Sequence, residues 1–491
     1  MATEIELKLA LSSADARALP QHPLLAGIPY SNQRLLNTYY DTPELDLKAR
    51  RIALRFRKKG WQWLLTVKSA EPASGGLAVR NEWETQATPG LWDFKHVDAP
   101  DLRALLESRT ADLVPIFTTD FRRRAWVVEF GSSSIEVALD RGHVQSQGRR
   151  APLCEVELEL ISGDIADIFA LTRLLQETLH LRPSVASKAE RGYALFGDEA
   201  LRPFRARLMP LNAKATPVEA FRQIALACLE QLQRNEAGII ASGDPEFVHQ
   251  ARVALRRLRS ALKLFAPALP QEFADAWGQA WQTLASALGE ARNWDVLVSE
   301  TLPPIEAAFP DYRPLNRLRA EGRRRARRAY AEVAGMFALA DYPRLITEFT
   351  AGLFALEQSA GQPLTGFAVA QLNSRARRAR KLAVLHGSLT PEERHRMRIC
   401  FKKLRYTLEF FSHLLPRRRL KPYLATLAQL QDELGLINDH ITAAELIKTV
   451  LGDNAKGPIQ GWIAGRHALL IAELPESLDS WLAQRTPWKT R

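Results

Sequence analysis

The sequence predicts two unlike domains, a strand-built N-terminal domain and an all-α C-terminal domain that carries an internal duplication. Three observations predict this. Residues 1–195 alternate apolar and polar side chains with a period of two, the mark of half-buried strands. From about residue 218 the apolar residues recur every 3.6 positions and the strand patterns stop. The helical part also matches itself when shifted by 146 residues, as a repeated unit does. A chain of 491 residues has room for this, since domains usually run to roughly 100–200 residues.

Strand patterns fall at 4–10, 52–58, 63–68, 79–85, 123–130, 135–140 and 155–161, separated by turn-rich breaks such as Glu71-Pro72-Ala73-Ser74-Gly75-Gly76. Helical patterns lie between them near 12–20, 100–108 and 164–180. The stretch Phe196–Pro217, with Pro203, Pro210 and Pro217, reads as the linker. The expected domains are therefore 1–200, a linker at 201–217, and 218–491 with repeats at about 218–345 and 365–485. At the 146-residue offset His249 meets His395 and Arg252 meets Arg398. Arg256-Arg257-Leu258-Arg259 meets Lys402-Lys403-Leu404-Arg405, and Leu288-Gly289 meets Leu434-Gly435. Two related helical bundles about a pseudo-twofold axis are expected.

Hydrophobic residues make up 46% and charged residues 25% of the chain, which excludes a disordered polymer. The net charge of +12 is unevenly spread. Residues 1–200 carry 25 Lys and Arg against 27 Asp and Glu, whereas residues 201–491 carry 42 against 28. The second half thus expects a polyanionic partner. Cys154, Cys228 and Cys400 are far apart and form no disulfide framework, which suits a reducing, cytoplasmic setting. Neither an export signal nor a run of ~20 apolar residues is present, so no membrane partner is expected.

The N-terminal strands put single-sign charges on one face. Glu4, Glu6 and Lys8 oppose Ile5, Leu7 and Leu9. Arg55 and Arg57 alternate with Leu54 and Phe56, and Thr66 and Lys68 with Leu65 and Val67. Arg80, Glu82 and Glu84 share a parity, as do Glu136 and Asp140, and as do Glu155, Glu157 and Glu159. In the run 121–130, outward Trp126, Val128 and Phe130 would place Arg123 and Glu129 inside. A solvated outer face is the ordinary explanation for any one such strand. Taken together they fit a sheet closed into a barrel with a charged lumen, bridged by divalent cations on the carboxylates and phosphate oxygens on the Arg and Lys groups. No P-loop and no Ser/His/Asp set is present.

Glu4-Ile5-Glu6-Leu7-Lys8 resembles the ExExK signature of the CYTH domain, the triphosphate tunnel metalloenzymes. The resemblance extends through Tyr40-Asp41-Thr42, Leu54-Arg55-Phe56-Arg57, Thr66-Val67-Lys68, Arg80-Asn81-Glu82-Trp83-Glu84 and Glu155-Val156-Glu157-Leu158-Glu159, and covers about 1–197. It implies an eight-stranded antiparallel β-barrel with flanking helices that binds triphosphates with Mg2+ or Mn2+. Glu4, Glu6 and Lys8 would be catalytic, and Glu4, Glu6, Asp140, Glu155, Glu157 and Glu159 the metal ligands. Lys8, Arg55, Arg57, Lys68, Arg80, Arg123 and Lys188 would hold substrate, Lys188 by its place in Ser187-Lys188-Ala189-Glu190-Arg191. Which of the three late glutamates touch metal stays open, as does whether Arg80, Glu82 and Glu84 serve substrate, a second metal or only each other.

In the helical half, His249, Arg252, Arg256, Arg259 and Lys263 share one helix face, opposite Ala251, Leu255, Leu258, Leu262 and Phe265. His395, Arg398, Lys402 and Arg405 repeat the stripe. A charged face is usually only solvated, but cations in line repel by up to ~0.5 kcal/mol per adjacent pair, so a repeated stripe favours a bound polyanion. Aromatic side chains for base stacking are sparse there, which argues against nucleic acid. The repeated His-x-x-Arg-x-x-x-[Arg/Lys]-[Arg/Lys]-Leu-Arg is similar to the CHAD domain over about 215–485. That resemblance implies inorganic polyphosphate binding, with these nine stripe residues as the candidates, and leaves open whether both repeats bind. The CYTH-plus-CHAD order resembles bacterial inorganic triphosphatases and implies hydrolysis of inorganic triphosphate to pyrophosphate and phosphate. A non-catalytic polyphosphate-binding scaffold, or hydrolysis of an organic triphosphate such as thiamine triphosphate, is the alternative.

Overall fold

A computed structural model describes residues 2–70, 75–207, 210–357, 363–385, 387, 389–452 and 457–488, apart from the side chains of residues 2, 3, 70, 79 and 80. Two compact units divide the chain, Met1–Arg202 with Leu339–Ala355 and Pro203–Ala338 with Leu356–Arg491.

Nine strands build the first unit: β1 (Ala2–Ala10), β2 (Tyr30–Asp41), β3 (Ile52–Lys59), β4 (Gln62–Ala70), β5 (Leu77–Gln86), β6 (Val114–Phe130), β7 (Ser133–Ser146), β8 (Arg149–Ser162) and the two-residue β9 (Arg182–Pro183). The sheet order is β5-β4-β3-β2-β6-β7-β8-β1-β9, and β1 also pairs with β5. Eight strands therefore close into a ring, all paired antiparallel. Strand β1 is the seam. Ala2–Leu7 pair with β5, Glu6–Ala10 pair with β8, and β9 joins at Leu9 and Ala10.

Closure follows from the side-chain parity. The apolar parity faces outward and is covered by the short helices α1 (Asp15–Ala18), α2 (Asp46–Ala49), α3 (Pro100–Arg109), α4 (Ile165–Gln176) and α5 (Lys188–Phe196). Leu7, Leu9, Trp126, Val137, Val156 and Leu158 pack under Ile168, Phe169, Leu171 and Leu175 of α4. Leu54, Phe56, Leu65, Val67 and Trp83 pack under Phe94, Val97 and Leu106. Burying apolar side chains outside leaves the charged parity nowhere to go but inward.

One end of the barrel is filled. Tyr39, Phe117 and Val144 pack against Tyr193 of α5, and the Tyr193 hydroxyl donates to Asp41 Oδ2 at 2.8 Å. The opposite end is open, with Val127 50% exposed and Trp61 98% exposed at the β3–β4 turn. Gly142 faces Phe121 across the ladder. A Cβ there would lie 2.6 Å from the Phe121 Cβ and closer still to backbone, so only glycine admits this ring to the lumen.

The second unit is helical: α6 (Pro217–Ala241), α7 (Pro245–Phe265), α8 (Gln271–Val296), α9 (Leu302–Ala308) and α10 (Pro314–Ala338), then, after α11 (Asp341–Ala355), α12 (Leu364–Ala383), α13 (Pro391–Phe410), α14 (Arg417–Leu451) and α15 (Pro458–Ala483). The 146-residue offset carries Pro245 to Pro391 and Gln271 to Arg417, the first residues of α7 and α13 and of α8 and α14. The duplication is therefore one of structure as well as sequence. Helix α11 stands between the repeats and clusters with the first unit, although its periodicity resembles that of its neighbours in the chain.

Candidate functional site

The register places the charged parity of seven strands in one lumen. Glu6 lies opposite Glu159, Lys8 opposite Glu157 and Glu4 opposite Arg80. Arg55 faces Thr66, which faces Glu84, and Lys68 faces Glu82. Arg123 faces Asp140, which faces Glu155, and Glu136 faces Glu159. Arg122 instead is exposed, and Arg124 lies over the rings of Tyr30 and Trp126 on the outside. Glu129 keeps the inward parity but sits exposed at the open end, where Ser134 Oγ donates to it at 2.8 Å. The Arg80 side chain lies outside the described residues.

Towards the filled end, charges are matched. Lys188 leads α5, held by a Ser187–Glu190 capping box. Its Nζ stands 2.7, 2.5 and 2.8 Å from Asp140, Glu155 and Glu157. Arg123 reaches both Asp140 (2.7 Å) and Glu157 (2.6 Å), and Lys8 lies 3.5 Å from Glu6 and Glu157. Burial alone would neutralise Lys188, but the three carboxylates hold its ammonium charged. Conversely burial would protonate Glu157, yet Lys188, Lys8 and Arg123 keep it ionised.

In the middle of the lumen arginines stand beside carboxylates, Arg55 at 3.5 Å from Glu82 and Arg57 at 3.6 Å from Glu84. Burial, with Arg55 and Arg123 as neighbours, lowers Arg57 to about 10. Its Nε donates to Asn37 Oδ1 at 3.0 Å. Arg55 donates through one Nη to the Tyr39 hydroxyl at 3.2 Å, while its Nε and second Nη are buried without a hydrogen-bond acceptor, the second Nη having Glu82 as an ion partner. Such buried, unfilled donors are costly unless an anion takes them. Lys68 is shared by Glu4 (2.8 Å) and Glu82 (2.7 Å).

On Glu159, carboxylates prevail. Burial, followed by repulsion from Glu4, Glu136 and Glu6, lifts it to about 7.

Among the described residues, one carboxylate group has the spacing of a hard divalent-cation site. Asp140, Glu155 and Glu157 each offer an oxygen within 4.8 Å of the others, a spacing oxygen-ligated cations use. Both Glu155 oxygens are buried and accept no hydrogen bond, although Lys188 and Arg191 stand 2.5 and 3.3 Å away as ion partners.

In the helical unit the two stripes meet where α7 packs on α13. Arg252 and Arg256 act on Arg398 and Lys402, their partners at the repeat offset. Burial and these three arginines drive Lys402 down to about 6, with Asp439 the opposing carboxylate. Arg252 falls to about 10 for the same reasons. The Nε atoms of Arg256, Arg259 and Arg398 are buried without acceptors. His249, half-buried beside Glu246 and Arg292, has its pKa lowered by burial. The rest of the stripe does not join the cluster. Lys263 and His395 are exposed. Arg259 donates to Gln282 at 3.3 Å, and Arg405 donates to Glu409 at 2.8 Å and to Gln431 at 3.2 Å.

The sequence reading passed over Asn37 and Tyr39 of β2 and reached Asp41 only within the CYTH resemblance; the face of β2 that carries Leu35, Asn37 and Tyr39 has no charge up to Asp41. The signal available was their period-two spacing.

Residues 2–193 match the CYTH domain model and residues 223–448 the CHAD domain model. The chain is 36% identical over 212 residues to the inorganic triphosphatase of Haemophilus influenzae, a match covering 41% of this chain and 57% of that protein. Among solved structures, the CHAD domain of the plant Ricinus communis is similar at a TM-score of 0.52 and 32% identity, covering 59% of this chain and 99% of that one.

Proposed function

We propose that this chain, a CYTH domain followed by a CHAD domain, hydrolyses inorganic triphosphate to pyrophosphate and phosphate in its barrel and binds inorganic polyphosphate on its helical unit. The observation that carries the first part is the buried Arg55 guanidinium, whose Nε meets no acceptor and whose second Nη has only the Glu82 carboxylate at 3.5 Å, in a lumen that also holds mutually repelling carboxylates around Glu159. A free anion would be repelled by the carboxylates and a free cation by the arginines. A phosphate chain complexed with a divalent cation meets both demands.

Lys8, Arg55, Arg57, Lys68, Arg123 and Lys188 would grip phosphate oxygens, and Arg80 would extend the set from β5. Glu4, Glu6 and Glu159, and the group Asp140, Glu155 and Glu157, would hold Mg2+ or Mn2+. The ion supplies Lewis-acid neutralisation of phosphoryl charge. The protein's share is positioning and charge compensation. Water adds to the terminal phosphorus, the bond to the bridging oxygen breaks, and pyrophosphate leaves against the arginines while the water gives up a proton. Because one end of the lumen is filled by α5, substrate and products share the open end. The curated relative's name, inorganic triphosphatase, agrees with this reading.

The second part rests on the Arg252–Arg256–Arg398–Lys402 cluster, whose mutual repulsion a linear polyanion would relieve. The test is phosphate release by the purified full chain from triphosphate, thiamine triphosphate and ATP, with Mg2+ or Mn2+ and after chelation. Fastest release from inorganic triphosphate, lost on chelation, is expected. Binding of triphosphate with no turnover under any metal would make the chain a scaffold, and preference for thiamine triphosphate would reassign the substrate.

A further inference from the structure

Helix α11 is encoded between the two helical repeats yet belongs to the barrel unit. Ala351 and Phe354 pack on the apolar layer that contains Leu7, Leu9, Leu77, Phe169 and Leu181. The Phe354 ring stacks on that of Phe169 at 6.1 Å. Polar contacts fix the helix along α4. Arg344 donates to the Gln176 carbonyl at 2.7 Å, Gln176 donates to Thr347 Oγ1 at 3.1 Å, and Arg173 pairs with Glu348 at 3.3 Å.

Thr350 is fully buried, its hydroxyl donating to the Ile346 carbonyl at 2.8 Å. On its outer side it fills the space behind Gly75. A Cβ on Gly75 would lie 2.1 Å from Thr350 Oγ1, and the Gly75 φ of +62° is one that favours glycine. The next residue holds the ExExK lysine. Gly76 accepts from the Lys8 backbone N–H at 2.9 Å, and the Lys8 carbonyl accepts from Ser184 N–H at 2.8 Å. A Cβ on Gly76 would lie 2.8 Å from that carbonyl. Gly76 also leads directly into β5, which carries Glu82 and Glu84.

We propose that Thr350 of α11 is a positioning residue of the tunnel: by backing Gly75 it fixes the 75–76 turn, and through that turn the backbone of Lys8 and the start of β5. The proposal rests on the tunnel being the triphosphate site, but the contacts that carry it are independent of substrate. It follows that residues 1–200 do not contain the whole tunnel. A helix encoded some 140 residues downstream of them, a distance read from the chain numbering, completes it.

Two full-length variants test this, Thr350→Leu, which pushes bulk against Gly75, and Thr350→Ser, which keeps the hydroxyl. In Thr350→Leu, hydrogen exchange should quicken by about tenfold at the Lys8 amide and across 75–80, the signature of local opening, while helices 218–337 keep wild-type rates. KM for triphosphate should rise more than kcat falls, and Thr350→Ser should match wild type in both. Wild-type exchange at Lys8 with an unchanged KM in Thr350→Leu would overturn the proposal. So would exchange that rises equally in the β6–β7 hairpin, because Thr350 would then serve stability alone. If the wild-type chain cleaved no triphosphate, the functional reading would fall, and the exchange pattern would still decide for or against the positioning role.

Discussion

The tunnel and the helical cluster both bury cations, but they balance them differently. In the tunnel Lys188 is enclosed by three carboxylates and Arg123 by two at hydrogen-bond distance. In the helical cluster Arg252, Arg256, Arg398 and Lys402 face one another with Asp439 as the opposing carboxylate. A balanced site stays ionised when empty and is ready for a ligand that itself carries both signs. An unbalanced site relieves its repulsion by shedding a proton, as at Lys402, or by taking up an anion. The first arrangement suits chemistry on a metal-bound substrate, the second suits holding a polymer.

The largest expected effect lies in the tunnel. Arg57→Ala removes a half-buried guanidinium bonded to Asn37, and Glu4→Gln removes a carboxylate that pairs with Lys68 and presses on Glu159. Each should lower kcat/KM for triphosphate by about 10²–10³-fold or more, the scale for loss of one preorganised charge-stabilising group. Polyphosphate retention by the same proteins should be unchanged. Turnover undiminished in both variants would separate the lumen from the chemistry and break the comparison at its first term.

The next effect is in binding. Arg252→Ala with Arg398→Ala should weaken polyphosphate binding by about tenfold or more per residue, since a hydrogen bond to a charged group is worth about 1.5–3 kcal/mol. Triphosphate turnover should stay within about twofold, because these residues lie outside the tunnel. The measurement is competition of polyphosphate against RNA at fixed salt. A preference for RNA would show that the cluster reads something other than phosphate.

Lys402 supplies a pH test. Its pKa is about 6 when folded, against about 10.4 in an unfolded chain. Between these values the unfolded chain binds a proton that the folded one does not. Lys402 therefore favours folding most above the unfolded value, and this contribution is lost progressively as pH falls towards 6, below which it is flat. Bound phosphate should restore the charge against Arg398, Arg256 and Arg252. Polyphosphate binding near pH 8 should thus take up as much as about one proton at this site, visible by calorimetry in buffers of different ionisation heat. Lys402→Met should abolish that uptake and flatten the stability profile over the same window. Equal uptake by the variant would place the proton elsewhere.

Much of this was legible in the sequence, because inward charge and outward apolarity alternate so strictly on β1, β3, β4, β7 and β8 that parity alone sorts the lumen. Arg123 could be chosen from three consecutive arginines by that rule. Strand β2 could not be seen, since Asn37 and Tyr39 line the lumen without charge and Leu35 and Leu36 are adjacent, which blurs the alternation. Nor could α11, because a helical period says nothing about which unit its face packs on. The stripe on α7 and α13 was legible as a row but not as a ranking. Equal spacing made nine residues look alike, and only packing distinguishes those facing other cations from those facing acids.

Arg405 turns that ranking into the finest test. It repeats Arg259 at the 146-residue offset and sits on the same helix face as Arg398 and Lys402. Its Nε, however, donates to Glu409 and an Nη donates to Gln431. Glu409 in turn takes a 2.5 Å contact from Arg257, so Arg405 sits in a network in which its donors already have a carboxylate and an amide oxygen. To bind phosphate, Arg405 would have to give up partners of comparable strength, leaving little net gain. Arg405→Ala should therefore change polyphosphate affinity by less than about twofold, and cost about 1 kcal/mol of folding stability for the lost hydrogen bonds. If it weakened binding as much as Arg252→Ala does, compensation would not be what separates binding from structural cations. The contrast between the two halves would then reduce to their net charge.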